Sequence, residues 1–166
     1  MPSPSLVSSP SSNTGSRWPI VLAAGLLAGA LDLTFAFIFY SYQGATPDGI
    51  LRGIASGLVG REAAHAAGNG PVILGAFLHF FIAVCAAFVF YLASRKLPLL
   101  LRRPVLSGAI FGVLVYLFMH LVVIPLSQIP FRVPSVHNII GELASHIFLF
   151  GIVIALGSAR ARRAPG

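Results

Sequence analysis

The chain has 166 residues, 57% of them hydrophobic and only 9% charged, with a mean hydropathy of +0.90. A soluble domain carries about a quarter of its residues as charges, so the composition excludes one and points to a polytopic membrane protein. The formal net charge of +7 follows from where arginines stand between apolar stretches, and it requires no nucleic-acid partner.

Residues 1–16 are mostly Ser, Pro and other small polar types without apolar periodicity, which predicts a disordered cytoplasmic tail. Arg17 before an apolar run, with Ala28-Gly29-Ala30 further on, imitates a signal peptide and its cleavage site. The run continues through Phe35, Phe37, Ile38 and Tyr40, so it is read as an uncleaved first span over about 18–42. Trp18 brackets it at the inner end and Tyr40 and Tyr42 at the outer, since a ring with one polar atom favours the interface.

The following loop is too long for a bare connection. Pro47-Asp48 opens a helical pattern in which Ile50, Leu51, Ile54, Leu58 and Val59 share one face, with Gly49, Gly53 and Gly57 as a second stripe. The expected element is an amphipathic helix over about 48–66, lying on the outer surface or capping the bundle as a packing element.

Three further stretches of roughly 20 apolar residues meet the spanning length, over about 71–93, 104–126 and 137–157. Cys85, the only cysteine, falls in the second span. A lone cysteine excludes a thiol–disulfide relay, and packing is its expected role. Pro130 and Pro134 stiffen the third loop, and Ser135 is placed to cap the fourth helix. The predicted fold is an all-α, antiparallel four-helix membrane bundle: tail 1–16, one domain over 17–160, and a basic tail over 161–166.

Eight of the eleven cationic residues (Arg17, Arg95, Lys96, Arg102, Arg103, Arg160, Arg162 and Arg163) flank the termini and the second loop, against Arg52, Arg61 and Arg132 in the other two loops. That asymmetry places both termini in the cytoplasm. Arginine outnumbers lysine ten to one beside abundant Ala and Gly, which fits a GC-rich bacterial genome and an inner-membrane location.

Each apolar stretch contains an ionisable residue: Asp32, His79, His120, and Glu142 with His146. Such groups at bilayer depth cost several kcal/mol unless partnered, so they face the bundle interior and mark functional sites. Asp32 shares a face with Gly25 and Gly29, His79 with Gly75, Ala83 and Ala87, His120 with Gly108, Gly112 and Tyr116. Gly141 and Ser145 flank the Glu142–His146 pair. Small residues mark helix–helix contact in membranes, so all five are expected to point inward. At a rise of about 1.5 Å per residue, Asp32, His79 and His146 lie roughly 12–15 Å from the outer ends of their spans, His120 about 9 Å and Glu142 about 7–8 Å. Face and depth together predict one buried polar cluster in the outer half of the bilayer. His65 and His137 stand at loop and helix edges and are expected to be solvated.

Three chemistries suit such a cluster. Carboxylate–histidine chains relay protons or ions; transport by four helices, which leave little room for a cavity, would require a homo-oligomer. His79, His120, Glu142 and His146, with Asp32 as a further member, also form a ligand set for a transition metal, and histidines on separate helices suit bis-imidazole haem ligation. The plainest alternative is a structural or accessory subunit in which the polar contacts fix helix register. The cofactor is unknown from these residues, and no nucleophile or phosphate-binding motif points to an enzyme.

The second half resembles the YagU-like family of small bacterial inner-membrane proteins. The resemblance rests on His79 in an Ala- and Phe-rich helix, Gly108-x3-Gly112 leading to His120, Pro125-Leu126, and Glu142-x3-His146, within residues 75–155. It implies a multi-pass inner-membrane protein of uncharacterised activity, linked with survival in acid. Asp32 and the extended first loop do not match it.

Overall fold

A computed structural model describes residues 17–130 and 133–163. The tail expected over 1–16, Arg132, and the end of the basic tail lie outside the described residues. Six helices follow in order: α1 (Trp18–Ser41), α2 (Pro47–Val59), α3 (Arg61–Ala64), α4 (Gly70–Lys96), α5 (Pro104–Leu126) and α6 (Val136–Arg163). Helices α1, α4, α5 and α6 are long and apolar enough to cross a membrane, and they run antiparallel as a four-helix bundle. This is an all-α, multi-pass membrane protein.

Two predicted boundaries fall short of the structure. Helix α4 continues about a turn past residue 93 to Lys96, and α6 continues past residue 157 to Arg163. Ala and Arg are strong helix formers, and long cationic side chains extend to water while their stems stay on the apolar surface. The helix expected over 48–66 instead ends at Val59. Gly60 has φ +81°, a left-handed conformation that stops the helix, and the short α3 follows. Thr46 caps α2 by accepting the Gly49 N–H at 3.1 Å. Ser135 caps α6 by accepting the Asn138 N–H at 3.2 Å, as its position before the helix suggested.

Small residues line the helix contacts of the interior beside a few large ones such as Phe90, Phe150 and Ile154, and large apolar side chains cover the perimeter. Ala28, Ala83, Ala87 and Ala155 are fully buried, while Leu27, Phe77, Leu121 and Phe148 are exposed. Lipid is as apolar as leucine, so helices gain by close backbone packing rather than by hiding large side chains. In the α1–α4 seam a Cβ on Gly25 would stand 2.9 Å from Val84 Cα. In the α5–α6 seam one on Gly108 would stand 2.7 Å from Ile152 Cα, and one on Gly112 would overlap the His146 carbonyl. Cys85, expected to pack, is exposed on the perimeter of α4 instead.

Helix α2 caps the bundle at the end opposite the terminal arginines. It lies against the start of α4, where Gly75 admits the Leu51 carbonyl. Arg52 fastens the loop that follows: its guanidinium donates to the carbonyls of Ala64, Ala66 and Gly68 at 3.1, 2.9 and 2.8 Å and to Asp48 at 2.7 Å. At the other end of α2, Gln128 donates to the Leu58 carbonyl at 2.6 Å from its side chain and to the Gly57 carbonyl at 3.0 Å from its backbone.

Candidate functional site

The five polar residues are gathered through specific pairs. His120 Nε2 stands 3.1 Å from Glu142 Oε2, joining α5 to α6. The Tyr40 hydroxyl of α1 donates to the other oxygen of Glu142. One turn deeper on α6, Ser145 donates to Asp32 Oδ1 at 2.6 Å, and His146 Nδ1 lies 3.8 Å from that same oxygen. His146 Nδ1 also donates to the Glu142 backbone carbonyl at 2.9 Å. Two carboxylate–imidazole pairs, Glu142–His120 and Asp32–His146, therefore stack along α6 across its contacts with α1 and α5.

His79 does not join either pair. Its Nε2 meets the Gly29 carbonyl of α1 at 2.8 Å, so the ring bridges α4 to α1. It does share a cavity with the pairs. That space, about 200 Å³, is lined by Asp32, His79, Glu142 and His146 together with Tyr40, and Ile50 and Ile54 of α2 lie over it. The amphipathic helix is thus the roof of the site.

The backbone explains why these side chains meet. The two helices that carry His120 and His146 each contain a π-helical turn, over Met119–Val123 in α5 and His146–Gly151 in α6. A π turn inserts an extra residue, rotating the helix face beyond it; such turns are concentrated at functional sites. His120 lies inside one and His146 opens the other. The glycine seam brings Gly112 against the His146 backbone, seating the π turn of α6 on the α-helical part of α5 that precedes the turn carrying His120. The Tyr116 ring lies between the histidines, with centroids 4.1 Å from His120 and 5.7 Å from His146.

The expectation of a buried cluster needs correction: in the chain alone all five side chains are only partly buried, the four of the two pairs running from 14% exposed at Asp32 to 23% at Glu142. The proposed metal ligands His79, His120, Glu142 and His146 are divided among separate partners. Among the described residues no group of three or more His, Cys, Asp or Glu side chains converges as metal ligands would. His65 is exposed, as expected, and its Nδ1 meets the Arg61 carbonyl at 2.9 Å. His137 is exposed as well but stacks on Phe39 at 4.9 Å between centroids.

Three contributors lie outside the predicted set. Tyr40, read as an interfacial anchor, turns inward to Glu142; Ser145, read as a small packing residue, is the hydroxyl that holds Asp32; Tyr116 separates the two imidazoles. The i, i+4 spacing of Tyr116 and His120 was the one available signal for Tyr116. No protein-family model matches the chain, and no curated protein or solved structure matches it either.

Proposed function

We propose that this protein is a bacterial inner-membrane protein with cytoplasmic termini, whose two carboxylate–imidazole pairs hold and pass protons in the outer half of the bilayer. One observation carries the reading: both ring nitrogens of His120 face acceptors. Nδ1 is 3.0 Å from the Tyr116 carbonyl, which can only accept, so Nδ1 bears a hydrogen. Nε2 faces a carboxylate oxygen. A second proton must therefore lie at the Nε2–Oε2 contact, as imidazolium with carboxylate or as imidazole with carboxylic acid. Either way the pair is a loaded proton site whose proton moves over a single hydrogen bond.

The surroundings suit exchange. The cavity beside the pairs has room for several waters at roughly 30 Å³ each, and within its mainly apolar lining Asp32, His79, Glu142 and His146 supply the partners that ordered water needs. His146 donates from Nδ1 to the Glu142 carbonyl and stands 3.8 Å from Asp32, which leaves its Nε2 as the next acceptor along α6. The resemblance of residues 75–155 to the YagU-like family, with its link to acid survival, is in keeping with a titratable site of this kind.

The test is proton flux in proteoliposomes. His120→Ala and His146→Ala should reduce flux to the level of protein-free vesicles. Unchanged flux together with an unchanged pH dependence of stability in both variants would falsify the proposal. A second reading, a lock on helix register, has its own support. Apart from the one-turn bonds of His120 to Tyr116 and of His146 to Glu142, the contacts in the cluster join different helices: Tyr40 of α1 and His120 of α5 to Glu142 of α6, Asp32 of α1 to Ser145 of α6, His79 of α4 to Gly29 of α1. A lock predicts lost stability in these variants with no wild-type flux to lose.

A further inference from the structure

The end of the bundle opposite the cluster has an unbalanced charge. It gathers the start of α1, the end of α4, the start of α5 and the end of α6, and with them eight of the eleven cationic residues. All four aspartates and glutamates lie elsewhere: Asp32 and Glu142 in the cluster, Asp48 and Glu62 beside α2 and α3. Among the described residues the one arginine–carboxylate ion pair is Arg52 with Asp48, at the far end. Arg17 Nε is shielded from solvent with no hydrogen-bond partner among the described residues. A concentration of like charge of this kind repels itself and draws anions from outside.

At that same end an open groove of about 880 Å³ runs between α1 and α6. Its floor is the contact of Gly157 with Ala24, where a Cβ on the glycine would overlap the alanine. Ala23 and Leu156 stand exposed on its two apolar walls. Arg160 and Arg163 line it as well, one turn apart on α6, both exposed. The groove therefore has an apolar body and a cationic head, opening toward the perimeter where lipid is the solvent.

We propose that this groove binds an anionic phospholipid, its phosphate held by Arg160 and Arg163 and an acyl chain lying against the walls of α1 and α6. Charge complementarity selects the class. A zwitterionic lipid would leave the excess cations uncompensated, whereas an anionic headgroup neutralises them, and guanidinium forks match phosphate oxygens. Basic pockets between transmembrane helices recognise anionic headgroups in this way. The extension of α6 to Arg163 gains a purpose, because only a helical continuation keeps both arginines over the groove.

Trp18, the sole tryptophan, opens α1 next to Pro19 on the groove wall and serves as a reporter. In vesicles of phosphatidylcholine and phosphatidylglycerol, quenching of Trp18 by the brominated form of each lipid gives their relative binding. Wild type should favour phosphatidylglycerol by about 25-fold, from two groove arginines near an anionic headgroup. Each arginine contributes roughly fivefold near an anionic surface, so R160Q/R163Q should bring the preference close to one. R95Q/K96Q, which removes the same charge outside the groove, should keep most of the wild-type preference, because neither side chain lines the groove. Ala23→Phe should lower it with every arginine in place, and covers the case in which the double variant fails to fold, judged by circular dichroism.

An unchanged preference in R160Q/R163Q, or an equal loss in R95Q/K96Q, overturns the proposal in favour of diffuse charge. Loss of the preference on adding inorganic phosphate at constant ionic strength reassigns the arginines to free phosphate and also overturns it. So does a disulfide-linked dimer of A23C in a C85S background together with equal quenching by the two lipids, which would make a second copy of the chain the occupant.

Discussion

With a carbonyl at one ring nitrogen and a carboxylate at the other, His120 has a tautomer that its surroundings assign, and its chemistry can be tested apart from that of His146. Replacing Glu142 by Gln keeps the shape and the backbone carbonyl but presents an amide N–H to Nε2. In ¹⁵N-histidine NMR, E142Q should hold His120 as a neutral ring protonated at Nδ1 alone, with no second proton at the Nε2 contact, and leave the Nδ1 donation of His146 in place. Asp32→Asn should do the reverse, shifting His146 and sparing His120. If both variants move both histidines equally, the two pairs are one coupled unit. Stability should separate the partners too. Tyr40→Phe removes a single hydrogen bond and should cost about 1 kcal/mol, whereas Glu142→Ala leaves Tyr40 and His120 both unpartnered and should cost about 1–3 kcal/mol. Unfolding in mixed micelles measures both. The ionisable members were visible in the sequence because a charge among apolar residues has few explanations. Tyr40 was not, because a tyrosine near the end of a span is equally suited to the interface and to a carboxylate one helix away, and only the fold decides.

Helix positions were legible from apolar length alone, since the bilayer sets that length independently of tertiary contacts. The π turns over Met119–Val123 and His146–Gly151 were not, because a π turn depends on packing against a neighbour rather than on local propensity. The α5–α6 seam supplies that packing for the turn in α6, and its glycines, with Gly75 under Leu51, should be the least replaceable among the described residues. Gly112→Ala drives a Cβ into the His146 carbonyl, backbone against backbone, and should cost about 1–3 kcal/mol as overpacking while weakening the His120–Glu142 contact. Gly53 offers the contrast: it sits in α2 with nothing within 4 Å of where a Cβ would go. Gly53→Ala should stabilise by about 0.5–1 kcal/mol through helix propensity, a difference that the same unfolding measurement resolves. Helix α2 itself depends on Arg52, whose side chain is only 14% exposed and satisfies three carbonyls and a carboxylate. Arg52→Lys keeps the charge but cannot fork, so amide hydrogen exchange over residues 60–70 should rise in R52K nearly as much as in R52A.

At the scale of the whole molecule the two ends do opposite work. The arginine end has cations and no carboxylate side chain, and the capped end has α2, the cavity and the paired carboxylates. The positive-inside bias orients such a chain because cationic loops resist translocation, and this orientation determines which side of the membrane the cavity serves. With the arginine end in the cytoplasm, the proposed proton site of Asp32 and Glu142 would face the outer medium from beneath the apolar roof formed by Ile50 and Ile54. The orientation is checked with single cysteines in a Cys85→Ser background, one at Gln43 beside the capped end and one at Leu99 in the turn between α4 and α5; both positions are exposed. A membrane-impermeant maleimide applied to intact bacterial cells should label Q43C and spare L99C, and permeabilised cells should label both. The opposite pattern would turn the cavity toward the cytoplasm, where an acid-exposed proton site has no outer medium to sense. The groove of Arg160 and Arg163 would then face the outer leaflet, so the labelling result bears on both ends of the bundle at once.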